Sequence, residues 1–172
     1  MQTIPFIKMA LNELHRSLVR ELEGLTPEQM AFRPTPEASS INFLTWHLAR
    51  VEDNLLHRTI VQPNSPSLWE QERWYERFGL KSQDMGTGFT PEQVEALQPD
   101  KQTLISYAER VFSAVMTGLD AMTDEDLDRV PNPERPRNSV GQMIQSLLIG
   151  HGYWHLGEVH FLKGLQGMPF GR

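Results

Sequence analysis

Two histidines near the end of the chain are spaced for metal binding. His151 and His155 are four residues apart, so on a helix they project from adjacent turns of one face. The rest of that face is apolar and consists of Ile144, Leu147, Leu148, Val159 and Leu162. Histidine pairs at this spacing bind one metal ion in other helical sites. Two hydrogen-bonded core histidines would give the same pattern, so the pair alone leaves both interpretations open.

A third histidine favours the metal. His47 lies on the apolar arc of its own predicted helix, beside Phe43 and Leu44. Three inward histidines in one small core are hard to satisfy by hydrogen bonds alone, whereas a divalent ion would bind one nitrogen of each ring. Three neutral ligands would also leave a position on the ion open for water or substrate. We therefore predict one divalent transition metal on His47, His151 and His155.

Glu158 is the next candidate for chemistry, because it lies three residues beyond His155 on the same helical face. Its carboxylate could be a fourth ligand, an acceptor for the N–H of a ligand histidine, or a general base. We favour the acceptor role.

The other histidines have no such setting. His15, His57 and His160 lie at the edge of an apolar stripe or away from it, so we expect them at the surface or its boundary. Asn54 and Arg58 share the helical face of His47, where they would contact a substrate or form a salt bridge to another helix. Two tryptophans next to the proposed ligands, Trp46 and Trp154, are expected to pack at helix interfaces.

Composition limits the class of protein. The chain has 172 residues, which fits a single domain over 1–172, and a formal charge of -6 without a basic run, so neither nucleic acid nor a membrane surface is an expected partner. There is no cysteine, which leaves histidine and carboxylate as the available metal ligands. The N-terminus does not resemble a signal peptide and no stretch is apolar enough to span a bilayer, so we expect a soluble cytoplasmic protein.

The periodicity of apolar residues predicts four long helices and no strand, hence an all-α fold. The first helix carries a stripe at spacings of three and four: Ile4, Ile7, Leu11, Leu14, Leu18, Leu22 and Leu25. The others are expected from Ser40 to about residue 61, from about Lys101 to Met122, and from Ser139 to about Leu165. Residues 62–90 form a long connection with several aromatic residues and a short helix near 68–78.

The two halves of the chain resemble each other. A series of capping residues and prolines at 25–41 recurs in the same order at 122–140. Capping chemistry recurs wherever helices begin, which explains part of the match, but the ordered series favours a duplication. In that case the second and fourth helices are equivalent neighbours, and the 62–90 connection crosses the four-helix bundle.

Two stretches also resemble the DinB-like family of metalloenzymes. One runs from Arg33 through RPTPEASSI and LTWHLARVED to Asp53, and the other from His151 to Leu165 with HLGE and KGL. The resemblance implies an up-down-down-up four-helix bundle, often a homodimer, with nickel, zinc or iron on the three histidines. The family usually has Gln where this chain has Glu158, so a carboxylate here could alter the coordination or the charge of the site.

Three functions remain open. The first is an enzyme that activates a low-molecular-weight thiol, similar to bacillithiol or mycothiol, for S-transfer to an electrophile, because a +2 ion on three neutral ligands stabilises a bound thiolate. The second is a metal-dependent hydrolase that uses Glu158. The third is a metal-binding structural or regulatory dimer without catalysis. In the first case the partners are a small-molecule thiol and an electrophile.

Overall fold

The computed structural model describes residues 2–60, 65–134 and 138–169, and all regular structure in these ranges is helical. The prediction of an all-α fold is therefore confirmed. Nine α-helices occur in the described ranges: α1 Thr3–Leu22, α2 Pro27–Ala31, α3 Ile41–Leu55, α4 Leu68–Gln71, α5 Trp74–Arg77, α6 Pro91–Ala96, α7 Lys101–Asp120, α8 Val140–Met143 and α9 His151–Leu165. Two π-helical turns, Leu56–Ile60 and Ile144–Gly150, extend α3 and join α8 to α9, and Asp124–Asp128 is a 3₁₀ turn.

The helices begin where side chains satisfy their free N–H groups. Thr26, Thr90 and Ser139 each form a capping box with a Gln three residues later, and Ser40 caps α3 by accepting the Phe43 N–H at 3.2 Å. The apolar stripe of α1 is buried along its whole length, as its spacing predicts. Local capping therefore explains where α3 begins, and one-sided burial explains which face of α1 is turned inward.

The four long helices, α1, α3, α7 and α9, pack in a ring in which α3 contacts α7 and α9, and α1 contacts the same two helices. The α1 and α7 helices are antiparallel, because the Thr3 N–H donates to Asp124 (3.3 Å) and Lys101 reaches the Leu25 carbonyl (3.1 Å). The α1 and α9 helices are parallel, since Tyr153 contacts Ala10 and, further along both helices, Lys163 contacts Glu21. This arrangement brings α3 beside α9, as the duplication hypothesis requires.

The connection between α3 and α7 is fastened to the bundle by one buried carboxylate. Asp53, which is fully buried, accepts the backbone N–H groups of Leu68 and Trp69 at 2.8 and 2.9 Å and the Tyr107 hydroxyl at 2.9 Å. Three aromatic residues of the connection are buried: Trp69, Trp74 and Phe78. These three aromatic side chains pack around Tyr107 of α7 and so hold the connection against the bundle.

Two expectations for the last helix are also wrong. Leu147 was predicted to face inward but is 39% exposed, because the π-helical turn Ile144–Gly150 takes more residues per turn and rotates it outward. Trp154 was expected at a helix interface but is 71% exposed, because it lies on the side of α9 away from α1 and α3. Among the described helices, none combines the length and the apolar character that crossing a bilayer requires.

The internal duplication has local support. The short helix α2 packs against the start of α3, and the 3₁₀ turn Asp124–Asp128 packs in the same way against α8, which leads into α9. Both begin with a threonine in a capping box, Thr26 in one case and Thr123 in the other. We further predict that residues 1–61 superpose on residues 101–165 with the same connectivity, and this stays a prediction.

Candidate metal centre

The three predicted ligand histidines converge between α3 and α9. The ring centroid of His47 lies 5.2 Å from that of His151 and 5.4 Å from that of His155, while the two rings on α9 are 4.2 Å apart. One nitrogen from each ring can be chosen such that all three lie within 4.8 Å of one another. Residues separated by more than 100 positions in sequence thus form one cluster.

The His47 ring is fixed by the connection that crosses the bundle. Its Nδ1 donates a hydrogen bond to the Met85 carbonyl at 2.6 Å, and Phe43 stacks on the ring at 5.5 Å with an interplanar angle of 9°. A carbonyl oxygen can only accept, so the proton of the neutral imidazole is on Nδ1. The Nε2 of His47 therefore carries a free lone pair.

A buried arginine holds the turn that supplies this carbonyl. The Arg50 guanidinium donates to the Asp84 carbonyl at 3.1 Å and contacts the Met85 sulfur at 3.0 Å. It also lies 3.5 Å from the Asp53 carboxylate, which compensates its charge. The chain from Asp53 through Arg50 to Met85 thus links the anchor of the connection to the orientation of His47.

Gly86 lets the turn approach the histidine. Its φ of +86° lies in the left-handed region, and a Cβ there would come within 2.8 Å of His47 Nδ1 and of the Trp46 ring. Glycine is therefore required at this position both by the backbone conformation and by the space available.

On α9 a carboxylate orients His155 in the way that the Met85 carbonyl orients His47. Glu158 lies 2.5 Å from His155 Nδ1, which donates to it, so the His155 Nε2 carries a lone pair. That nitrogen lies 2.9 Å from the Nε2 of His151, whose own Nδ1 is buried without a hydrogen-bond partner. Glu158 is 43% exposed at its side chain and contacts the outer nitrogen of the histidine.

The environment keeps two of the rings neutral. Burial lowers the pKa of His47, although the Met85 carbonyl acts in the opposite direction. Burial also lowers the pKa of His151 to about 4, with the neighbouring histidines adding to the effect. Because imidazole must be neutral to bind a metal, these rings are in the ligating state at neutral pH.

The donor set fits a divalent transition metal. Imidazole nitrogens bind Zn²⁺ at about 2.0–2.1 Å, so two ligands at a tetrahedral angle lie roughly 3.3 Å apart. The 2.9 Å between the two Nε2 atoms on α9 is close to that separation. In His47 and His155 the outer N–H is already used, by a carbonyl and a carboxylate, as in many metal sites. The three histidines can therefore hold a metal ion.

The remaining histidines lie elsewhere. His15 is buried, not at the surface as expected, because its ring stacks on Phe112 at 3.7 Å and its Nε2 lies 2.9 Å from the buried Glu52. His57 is half-buried and contacts Asp53, which raises its pKa, mainly through the side-chain hydrogen bond.

Arg58, Asn54 and His160 also lie outside the histidine cluster. Arg58 pairs with Glu70 at 2.8 Å, which is the salt-bridge alternative, and Asn54 is half-buried. His160 is half-buried beside Glu21 at 3.3 Å, a boundary position as predicted. Sequence patterns did not indicate a role for Met85, Arg50 or Gly86 at this site.

Comparison with known proteins identifies the family of this chain. A family model described as the DinB superfamily matches residues 10–159. The chain belongs to the DinB superfamily. The resemblance read from the two histidine-bearing stretches is thus confirmed, and the matched residues include all three histidines of the cluster.

A solved structure shares the fold of this DinB superfamily member. It is described as the crystal structure of the conserved protein of locus from Enterococcus faecalis, with a TM-score of 0.83 and 23% sequence identity. The match covers 96% of this chain and 97% of that one. No protein in the curated set matched this member of the superfamily significantly in sequence.

Proposed function

We propose that this protein binds one divalent transition metal on His47, His151 and His155 and activates a low-molecular-weight thiol for transfer to an electrophile. One observation carries the proposal: the lone pairs of His47 and His155 face the cluster, and their outer N–H groups are already bonded. The Nε2 atoms of His47 and His155 therefore present lone pairs to the space between the three rings. A cation bound there would accept these lone pairs.

A divalent ion on three neutral ligands keeps its +2 charge and lowers the pKa of a bound thiol from about 8.5 toward neutrality. The chain has no cysteine, so the thiol must come from outside. In the reaction a carbon–sulfur bond forms, the bond from that carbon to its leaving group breaks, and the thiol proton departs with the leaving group. The balance requires no oxidant or reductant.

The protein's own residues orient the ligands and shape the access. Glu158 keeps the proton of His155 on Nδ1 and so presents Nε2 to the cluster. The Met85 carbonyl does the same for His47, and the turn at Gly86 covers that ring. Glu158 is the more exposed of these groups, so we expect small molecules to approach from the α9 side.

The test begins with metal analysis of the purified protein and substitution by cobalt, whose visible spectrum reports on its ligands. Glutathione, bacillithiol, mycothiol and a simple thiol are then titrated into the cobalt protein. We expect a sulfur-to-metal charge-transfer band with at least one thiol, and conjugation of that thiol to a model electrophile. His47→Ala, treated in the same way, should show no band.

Two results would contradict thiol activation and would separate its alternatives. If azide or cyanide changes the cobalt spectrum and no thiol does, the open position exists but does not take sulfur, and a hydrolase that uses Glu158 becomes the better hypothesis. If no added ligand changes the spectrum while metal raises the thermal stability, the protein is a non-catalytic metal-binding bundle.

A further inference from the structure

A short segment of the connection, residues 81–89, lies against α3 beside the metal centre, and we call it the strap. Two tight turns shape it, each closed by a backbone hydrogen bond of 3.1 Å: Asp84 to Lys81, and Phe89 to Gly86. More than half of its residues are exposed to solvent. The strap is therefore a surface segment, and its position depends on the contacts that fasten it to the rest of the protein.

Within the described part of the chain, three side chains donate hydrogen bonds to the backbone of the strap: Trp69 at 3.2 Å, Arg50 at 3.1 Å and His47 at 2.6 Å. The last two reach the consecutive carbonyls of Asp84 and Met85. Because His47 and Arg50 are three residues apart on α3, adjacent turns of one helix hold adjacent carbonyls of the strap. One of the three fastenings is therefore a predicted metal ligand.

Arg50 is held more firmly than a surface residue in this role would need. Its side chain is only 3% exposed, lies 3.5 Å from the Asp53 carboxylate and covers the Trp69 ring at 4.9 Å. A guanidinium can serve several partners at once because its donors form a rigid planar fork. Burying a charge is costly. Its use to hold a surface turn indicates that the position of this turn matters.

We propose that Arg50 is a positioning residue for the metal centre, and that seating of the strap and binding of the metal form one coupled equilibrium. With the strap seated, the Met85 carbonyl keeps the proton of His47 on Nδ1 and leaves Nε2 to the cluster. With the strap unseated, the ring is free to rotate and to change tautomer, so metal binding weakens. Arg50 favours the seated state through the Asp84 carbonyl.

The coupling must act in both directions. If seating of the strap raises the metal affinity by some factor, the metal favours seating by the same factor, because both belong to one thermodynamic cycle. Loss of the outer partner of a ligand histidine lowers metal affinity by about 10–100-fold. We therefore expect the metal to reduce the unseated population by a factor of that order. This inference rests on the metal-binding part of the proposed function and not on its thiol chemistry.

The first experiment measures hydrogen exchange of the strap amides by mass spectrometry, with and without Zn²⁺. We expect saturating Zn²⁺ to slow exchange in residues 81–89 by about 10–100-fold. The 3₁₀ turn Asp124–Asp128 is the internal reference, because only a general stabilisation would slow its exchange as well. His151→Ala removes a predicted ligand on α9 and leaves the strap contacts of α3 in place, so Zn²⁺ should not change exchange in this variant.

The second experiment asks whether Arg50 transmits the effect. Arg50→Lys keeps a positive charge near Asp53 but loses the fork that reaches both Asp84 and Met85. We expect its Zn²⁺ affinity, measured by competition with a chelator, to fall by about 10-fold or more.

Arg129→Lys is the matched control for this substitution. Arg129 also donates to backbone carbonyls, but to those of Thr59 and Ile60 in the π-helical turn after α3 and not to the strap. We expect this variant to keep the wild-type affinity for Zn²⁺.

A third measurement does not involve the metal. In the metal-free protein, nitrogen–proton NMR correlation spectra report which ring nitrogen of a histidine carries the proton. We expect His47 to carry it on Nδ1 in the wild-type protein and to exchange between both nitrogens in Arg50→Lys. The signals of His47 are assigned by their absence in His47→Ala. A merely structural role of Arg50 would lower the unfolding free energy and leave this tautomer unchanged.

Each of three results would overturn the proposal: Zn²⁺ binding without slower exchange in residues 81–89, wild-type Zn²⁺ affinity in Arg50→Lys, or an unchanged His47 tautomer in that variant. If Arg50→Lys does not fold, exchange in the unsubstituted protein still decides whether strap and metal are coupled. If the wild-type protein binds no divalent ion, the proposed function fails, whereas the tautomer of His47 still decides whether Arg50 positions this ring.

Discussion

Two groups of histidines in this protein show how the same side chain serves opposite purposes. In the cluster of His47, His151 and His155, the acceptors from the protein contact the outer nitrogens of two rings and no carboxylate lies among the inner ones. Near α7, His15 and His57 each contact a fully buried carboxylate directly, Glu52 in one case and Asp53 in the other.

The difference lies in where the compensating charge is placed. A carboxylate against the ring completes the polar interactions of a buried histidine, so His15 and His57 need no further partner. In the cluster, the carbonyl and the carboxylate fix the protons of His47 and His155 on the outer nitrogens, so their inner Nε2 lone pairs are available to a cation. The position of the acceptors, not the number of histidines, distinguishes the candidate metal site from the two paired histidines.

The largest expected difference between the two groups of histidines is in metal affinity, which should fall when a histidine of the cluster is removed. His47→Ala removes one of three ligands and the ring that joins α3 to α9. We expect its metal affinity to fall by more than the 10–100-fold typical of losing an outer partner, so that little metal is retained after gel filtration. Metal analysis by emission spectrometry would show it. Undiminished stoichiometry in this variant would break the site as described.

Removing a histidine from the carboxylate-paired group should lower the unfolding free energy and leave metal binding unchanged. His15→Ala leaves the buried Glu52 without its histidine and removes the stack on Phe112. Breaking a buried pair in this way costs about 3–5 kcal/mol of unfolding free energy. Urea unfolding of the metal-free protein would measure the cost. If His15→Ala loses metal and keeps its stability, then His15 has the metal-binding role and not the structural role that we assign to it.

The contrast between the groups was only partly available from the sequence. The apolar arcs of helices around His47 and His151 predicted that these rings point inward, because helical periodicity depends on local spacing alone. The position of His15 at the edge of its stripe did not reveal a diagonal contact with Glu52 across the bundle. Long-range pairing of that kind depends on how the helices pack, which periodicity does not encode.

The same limit explains the other differences. The Met85 carbonyl reaches His47 from 38 positions away, through a turn whose course depends on Arg50 and Gly86. Leu147 was assigned to the wrong face because a π-helical turn changes the angle per residue. Trp154 was expected at an interface within the chain, and an apolar pattern does not say whether the chain itself covers it.

A smaller effect is expected from the outer partner of His155. Glu158→Ala removes the acceptor at Nδ1, so the ring is free to change tautomer and to rotate, and metal affinity should fall by about 10–100-fold. Glu158→Gln keeps an oxygen acceptor and should lose less. Competition with a chelator of known affinity would measure both. Equal and complete loss of metal in the two variants would instead indicate that the carboxylate itself is a ligand.

The smallest expected effect is a difference in how the two groups respond to pH in the metal-free protein. Contact with Asp53 raises the pKa of His57, so its stabilisation is complete below the unfolded value of about 6.5 and is lost as pH rises through the folded pKa. Burial lowers the pKa of His151 to about 4, so its contribution is lost in the other direction, as pH falls from about 6.5 toward 4.

His57→Gln isolates the alkaline side of this comparison, because glutamine can still donate a hydrogen bond to Asp53 but does not titrate. We expect it to cost more unfolding free energy at pH 5.5 than at pH 8.5, by less than about 1 kcal/mol, since Asp53 keeps its bonds from Leu68, Trp69 and Tyr107. Arg58→Gln, which breaks an exposed ion pair on the adjacent residue, should cost the same at both values. Urea unfolding in the presence of a chelator would measure the four differences. A cost for His57→Gln that is larger at pH 8.5 would mean that His57 is held neutral, and the distinction between the paired histidines and the cluster would then rest on His15 alone.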